Sequence, residues 1–268
     1  MKYIAVTMTT LISLAAFASA EQATLSTTNG TLAVCAIGAQ VTSWRPAALG
    51  GEEVFFLQES PQWGQEVHGG VPICWPWFGG RAGAPSHGLV RYREWRREET
   101  EGVLTFVCES SPETKAIWPH DFRLVAEISM PGPDTLEVAV TETNTGESAF
   151  ESAFGLHPYF AVSDATCATL DGSPVPPPAG STLKFAADGH PHFLGDPARG
   201  VRIEVSMDDA DSWRLWNPGE PNRYVAAGEW RRFLCLEPTR EAPSPLAPGA
   251  SRTRIVRFSA KSDFGGKP

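Results

Sequence analysis

The sequence predicts an all-β protein, and three observations carry that prediction. Apolar and polar residues alternate through stretches such as Leu136-Glu137-Val138-Ala139-Val140-Thr141-Glu142, the pattern of a strand with one wet face. Glycine and proline, 25 and 23 residues, punctuate the chain between short apolar runs. No window sustains a capped 3.6-residue periodicity, so helices should be few and short.

Taken in order, the chain opens with a segment that stands apart from the strands. Lys2 supplies a positive start, Leu11 to Phe17 an apolar run, and Ala18-Ser19-Ala20 an A-x-A cleavage pattern. Met1 to Ala20 therefore reads as a signal peptide, and the protein is expected to be exported, to the periplasm or outside. An ordinary first strand ending in a chance A-x-A is the other reading. The run is too short to span a membrane comfortably. Residues 21–268 are expected to form a single β-sandwich domain, a size that large all-β domains reach.

Strands are expected at Thr31–Cys35, Gln40–Trp44 and Glu53–Leu57, then at Val103–Glu109, Phe122–Ser129, Leu136–Glu142 and Ala149–Leu156. Further runs follow at Ser181–Phe185, Val201–Val205, Ser212–Trp216, Phe233–Leu236 and Arg252–Phe258. Pro174–Pro178 reads as a stiff loop and Glu241–Gly249 as a Pro-rich connector. Between the third and fourth strands lies His68-Gly69-Gly70-Val71-Pro72-Ile73-Cys74-Trp75-Pro76-Trp77-Phe78-Gly79-Gly80. Its prolines argue against a central strand, while its aromatic area gains most by burial. It reads as a rigid, partly buried wall. Trp75 is a candidate platform for a sugar ring, with an aromatic core plug as the equal alternative.

A formal net charge of −9 and a pI near 5.2 leave no basic stripe for nucleic acid. Arg91, Arg93, Arg96 and Arg97 cluster, but Glu94, Glu98 and Glu99 interleave with them as on a solvated face. The five cysteines form no C-x-x-C pair, so no zinc site is expected. Cys35, Cys108 and Cys235 lie in strand patterns and read as small core residues.

Three ionisable residues stand in stiff contexts. His87 follows the wall in Pro85-Ser86-His87-Gly88, and His157 precedes Pro158 where a strand ends. Glu237 closes the apolar run Phe233-Leu234-Cys235-Leu236 ahead of Pro238. A carboxyl at the end of a buried strand has its pKa raised unless a donor compensates, which suits a general base. A histidine held before proline suits a positioned acid. Taken singly, each is more often structural than catalytic, as a Glu237 paired to a neighbour such as Arg240 would be.

These segments together resemble the hexose-6-phosphate mutarotases (glucose-6-phosphate 1-epimerases) of the aldose 1-epimerase superfamily. The wall is similar to their R-G-G-[IV]-P-[IV]-C-W-P-W-F-G signature, and Ser86-His87-Gly88-Leu89-Val90-Arg91 to A-H-G-F-A-R. Thr114–Phe122 resembles T-K-x-x-W-P-H-D-F, Ala153–Phe160 resembles S-A-L-H-x-Y-F, Trp216-Asn217-Pro218 matches W-N-P, and Leu236-Glu237-Pro238 falls on the segment of the catalytic glutamate. The resemblance implies a galactose-mutarotase-like β-supersandwich with a shallow sugar site, a monomer, and no metal or organic cofactor. It implies Glu237 as general base and His157 as general acid, with His87 bonding the substrate, Arg91 holding a phosphate and His120 structural. The substrate would be a hexose or hexose 6-phosphate.

Two departures bear on specificity. His68 replaces the arginine that precedes Gly-Gly, and a neutral imidazole supplies no fixed charge. Near Phe193-Leu194-Gly195 the expected Asp-Arg pair falls on His190 and Pro191, leaving Asp188 as a substitute. Unphosphorylated aldoses, or non-catalytic carbohydrate binding, remain as alternative functions.

Overall fold

The computed structural model describes residues 20–175 and 182–262. The leader, apart from Ala20, and residues Pro176–Pro178 of the proline stretch lie outside the described residues. No described helix is long and apolar enough to cross a membrane.

Strands β1 (Gln22–Thr27), β2 (Gly30–Cys35) and β3 (Gln40–Pro46) form a three-stranded antiparallel sheet. The wall contributes the short β4 (Ile73–Cys74). Next come β5 (Arg96–Thr100), β6 (Val103–Glu109), the single-turn-scale helix α1 (Pro112–Ile117), β7 (Phe122–Gly132) and β8 (Thr135–Asn144). A second series comprises β9 (Phe150–Leu156), β10 (Tyr159–Ala161), β11 (Thr169–Leu170), β12 (Ser173–Pro174), β13 (Thr182–Ala186) and β14 (His192–Asp196). The chain ends with β15 (Val201–Met207), β16 (Ser212–Trp216), β17 (Phe233–Leu246) and β18 (Ser251–Ser262). A nine-stranded sheet runs β12-β11-β14-β15-β18-β8-β7-β6-β5, and a six-stranded sheet runs β13-β16-β17-β9-β4 with β10 also on β17. This is the all-β, largely antiparallel architecture the alternation predicts.

The two-residue period of a strand divides each strand of the six-stranded sheet between two jobs. Leu234 and Leu236, Phe154 and Leu156, and Trp213 and Leu215 enter the main core with Val138, Val140, Val256 and Phe258 of the larger sheet. Their neighbours, Phe233, Cys235 and Glu237 on β17, face the other way. The same rule sends Arg214 and Trp216, and Gly155 with the strand-end His157, to that outer face.

Two expectations are corrected. Glu53–Leu57 is no continuous strand: the Glu53 carboxylate accepts the backbone N–H groups of Trp44, Val54 and Phe55 at 2.9–3.1 Å, while Val54 and Phe56 N–H also reach the Trp44 and Tyr159 carbonyls at 3.0 and 2.8 Å. Phe55 and Leu57 are left with isolated bridges to Phe160 and Gly69. The supposed connector from Glu241 is strand through Leu246. A bulge between Arg240 and Ser244 takes up the irregularity, and Ser244 to Leu246 then pair with Ser152 to Phe150.

The wall is both of the things its composition suggested. Trp75 is 0% exposed, set edge-on against Trp118 and Phe122 at 5.0 and 4.6 Å, with its indole N–H on Glu142 Oε2 at 2.9 Å. It is a core plug and touches no ligand space, so its reading as a sugar platform is withdrawn. Phe78 is the ring the wall presents to the outer face. It lies over Gly155, where a Cβ would come within 2.5 Å of the ring, so a glycine is required there.

Candidate active site

Cross-strand register assembles the site. Tyr159 pairs with Cys235, so His157, two residues earlier, comes opposite Glu237 across the antiparallel ladder. On the other side of β17, Arg214 pairs with Glu237 and Trp216 with Cys235. Two rows therefore cross the outer face, Arg214–Glu237–His157 and Trp216–Cys235–Tyr159. His157 Nε2 stands 3.4 Å from Glu237 Oε1.

Glu237 is 2% exposed, and its Oε1 has no hydrogen-bond partner among the described residues. Burial without a compensating donor pushes its carboxyl up to about 8, against which the nearby Arg214 guanidinium acts only in part. Arg240 is not its partner, since that side chain reaches Asp211 at 3.7 Å. Burial and the surrounding cations hold the His157 imidazole well below its ordinary value. His157 is itself fixed by a ring stack on Tyr159, centroids 4.8 Å apart, and by the edge of Trp216. Because neither charge is favoured, the pair carries one proton at neutral pH.

Arg214 explains why the carboxyl stays so uncompensated. Although it sits beside Glu237 on the sheet, its Nε bonds Glu241 Oε1 at 2.7 Å, and Lys184 Nζ takes the other oxygen at 2.6 Å. Glu241 thus draws the guanidinium away. Glu241→Gln should release Arg214 toward Glu237 and remove a nearby negative charge, and both changes favour ionisation. The alkaline limb of the pH–rate profile, expected near 8 in the wild-type protein, should then move to lower pH. An unmoved limb in this variant would separate it from Glu237.

His87 adopts a left-handed backbone, φ 60°, just before Gly88. Its Nδ1 accepts the Gly79 N–H at 3.3 Å, which leaves Nε2 as the protonated donor nitrogen. The ring stands edge-on to Phe78 and His157, and burial with nearby cations pushes its pKa down to about 3. It is a neutral donor beside the acid–base pair.

His68, His87, Arg91 and His157 line one cavity of about 210 Å³. Glu66, Ser86, Tyr159 and Trp216 complete its walls, with Arg223 and Tyr224. Arg91 is buried, with Nη2 donating to Val67 O at 3.1 Å, and so leaves the solvated charge run in which it stands. Arg96 and Arg97 of that run pair with Glu98 and Glu99 instead. Asp188 is not in this cavity. It is exposed, accepts the backbone N–H of His190 and lies 3.9 Å from His192, so its substitution for a missing site aspartate is not what the structure shows. His120 packs on Trp118 and Phe150, a structural setting.

Arg214, Arg223 and Tyr224 were not singled out from sequence. Alternation in Ser212–Trp216 could have placed Arg214 on the face of Trp216. The other two lie in a Gly/Pro-rich loop where periodicity gives no signal.

Cys235 completes a tight group, its sulfur and the ligand atoms of His157 and Glu237 lying within 4.8 Å of one another. Burial holds that thiol well above its ordinary value, so it is a protonated neighbour and not a thiolate. All five cysteines are unpaired, with Cys167 the exposed one.

The sequence profile of the aldose 1-epimerase family matches residues 21–193. The chain belongs to that family. A relative in Escherichia coli K12, provisionally designated a glucose-6-phosphate 1-epimerase, is 41% identical over 257 residues, covering 78% of this chain and 83% of its own. A similarly designated protein of Salmonella typhimurium LT2 is also 41% identical, over the same shares. Among solved structures, a provisionally assigned mutarotase from Salmonella typhimurium superposes with a TM-score of 0.74 at 24% identity, over 87% of each chain. A galactose mutarotase related enzyme from Lactobacillus acidophilus gives 0.75 at 15% identity, over 92% of this chain and 100% of its own. These likenesses establish the galactose-mutarotase-like fold of this family member.

Proposed function

We propose that the protein is a hexose mutarotase, an isomerase that interconverts α and β anomers by opening and reclosing the sugar ring. The observation that carries this reading is the His157–Glu237 pair, 3.4 Å apart beside a cavity of sugar-ring size. The anomeric oxygen and the ring oxygen share one carbon, so a base for the first and an acid for the second must sit close together.

Glu237 takes the proton from the anomeric hydroxyl while His157 gives one to the ring oxygen. The C1–O5 bond breaks as the C1–O1 carbonyl forms, leaving the open-chain aldehyde. Rotation about C1–C2 presents the other carbonyl face, and closure returns each proton with the roles reversed. The proton count of the pair is unchanged over the cycle. Burial favours the neutral arrangement, with Glu237 protonated and His157 not. That is also the arrangement left when the ring has opened. His87 Nε2–H is placed to hold a sugar hydroxyl, and the Phe78 and Trp216 rings limit solvent.

A binding module would gain nothing from a buried carboxyl without a donor, since such a group costs stability unless it performs work. The test is optical rotation after dissolving α-glucose or its 6-phosphate with purified protein. Accelerated relaxation of either supports the reading; spontaneous rates for both remove it.

We also propose export. Its support is that the family match starts at residue 21, directly after the A-x-A pattern. Mass spectrometry of the native protein should show a chain beginning at or next to Glu21. An intact Met1 would contradict this.

A further inference from the structure

The acid–base pair has a third neighbour that the mutarotase chemistry does not use. Cys235 and Glu237 stand two residues apart on β17, so the period of the strand turns both to the outer face, and the register of β10 brings His157 alongside. The Cys235 sulfur, a Glu237 carboxylate oxygen and a His157 ring nitrogen all lie within 4.8 Å of one another. All three residues are buried, and Glu237 Oε1 has no hydrogen-bond partner among the described residues. A buried oxygen with unused lone pairs, a thiol and an imidazole in one small group form a donor set for a metal ion. No C-x-x-C pair announces it, because cross-strand register and not sequence spacing brings its members together.

The donors select the ion. Sulfur and imidazole nitrogen with a single carboxylate suit Zn²⁺, bound tetrahedrally with bonds of about 2.0–2.3 Å. Such bonds set ligand atoms roughly 3.3–3.7 Å apart, and His157 Nε2 and Glu237 Oε1 already stand at 3.4 Å. At the 4.8 Å limit the sulfur has roughly 1 Å to close. One thiolate and one carboxylate balance the double charge of the ion, so the filled set is neutral and tolerates its burial. Arg91 and Arg214 oppose a cation here, but Arg214 is held by Glu241 Oε1 at 2.7 Å and Arg91 by the Val67 carbonyl at 3.1 Å. His157 lines the cavity, which supplies the way in and the solvent for the fourth position. His157 Nδ1 has no partner among the described residues, and missing outer support of that kind lowers affinity by about 10- to 100-fold. The site therefore suits an ion that comes and goes, not a permanent structural one.

We propose that His157, Cys235 and Glu237 form a reversible Zn²⁺ site that switches the enzyme off. Binding releases to solvent the Cys235 thiol proton and the proton shared by His157 and Glu237. The metal then occupies both groups that move protons at C1–O1 and O5. The site stands on this geometry alone; its consequence for turnover rests on the mutarotase reading. Mg²⁺, which demands oxygen ligands and gives up its water reluctantly, should leave turnover unchanged.

The test uses Co²⁺, which replaces zinc in tetrahedral sites and reports its ligands by colour. Added to the wild-type protein, it should give the near-ultraviolet charge-transfer band of a cobalt–thiolate bond with the intense visible bands of a tetrahedral ion, and Zn²⁺ should abolish both. Cys235→Ala should lose the thiolate band and bind Zn²⁺ by calorimetry about tenfold more weakly or worse, since losing a ligand costs at least what losing its support does. No band in the wild type overturns the proposal, and that result needs no variant to fold. A band that persists in Cys235→Ala puts the metal on another thiol, such as the exposed Cys167, and also overturns it, as does equal Zn²⁺ binding in the two proteins. In anomer exchange, saturating Zn²⁺ should slow the wild type by about 10²-fold or more, the loss expected when a general acid or base is removed, and a chelator should restore the rate. An unchanged rate at saturating Zn²⁺ overturns the switch. Exchange of no sugar by the metal-free protein would overturn the mutarotase reading instead, leaving the cobalt spectrum to decide the site.

Discussion

Glu237→Gln and His157→Asn should each slow anomer exchange by about 10²- to 10⁴-fold, the usual contribution of a general acid or base. Both replacements are near-isosteric and leave the strand ladder intact. Glutamine cannot take the anomeric proton, and asparagine cannot supply one to the ring oxygen. The two losses should not multiply in the double variant, because the groups work as one proton-sharing unit. Exchange rates at fixed pH, with circular dichroism to confirm folding, check this. Full activity in either single variant would remove the pair from the mechanism. The wild-type kcat/KM should hold below pH 6.5, because His157 gains a second proton only well below its ordinary value. It should fall above about 8, where the shared proton is lost from the pair.

The largest stability effect should come from Glu142→Ala, far from the cavity. Glu142 is 2% exposed and accepts from the Trp75 indole, Ser152 Oγ, Arg252 Nε and Arg254 Nη1. Removing it strands the buried Arg254 and leaves the Trp75 N–H without its acceptor. Breaking a buried pair in this way costs about 3–5 kcal/mol. Arg254 Nε keeps Asp209 at 3.0 Å, which places the expectation at the lower end of that range. Urea unfolding measures it. A loss below about 1 kcal/mol would mean that this network is not what secures the wall.

Alternation made the sheets legible, because one buried face imposes a two-residue period that sequence displays directly. Glu53–Leu57 defeated the same logic. Its alternation is real, but the Glu53 carboxylate accepts three backbone N–H groups, of which Val54's is shared with the Trp44 carbonyl, and only isolated bridges remain. In β17 the prolines after Glu241 concealed a strand, Pro243 falling within its bulge and Pro245 pairing with Glu151. At the site, His157 and Glu237 were legible as residues in stiff contexts, but their pairing depends on register across two strands. Trp75 shows the converse limit. Aromatic richness announced the wall, while only the packing assigns Trp75 to the core and Phe78 to the outer face beside His87. Arg223 escaped notice because a loop between prolines has no period that fixes where a side chain points.

The account stands most directly on exchange NMR with glucose labelled by ¹³C and ¹⁸O at C1, where the isotope shift reports whether the anomeric oxygen is retained. Opening between His157 and Glu237 breaks C1–O5 and keeps C1–O1. Anomer exchange should therefore be accelerated by the protein while the ¹⁸O label persists over many interconversions. Loss of the label to water at the rate of anomer exchange, or no acceleration of either glucose or its 6-phosphate labelled in the same way, would contradict ring opening by this pair.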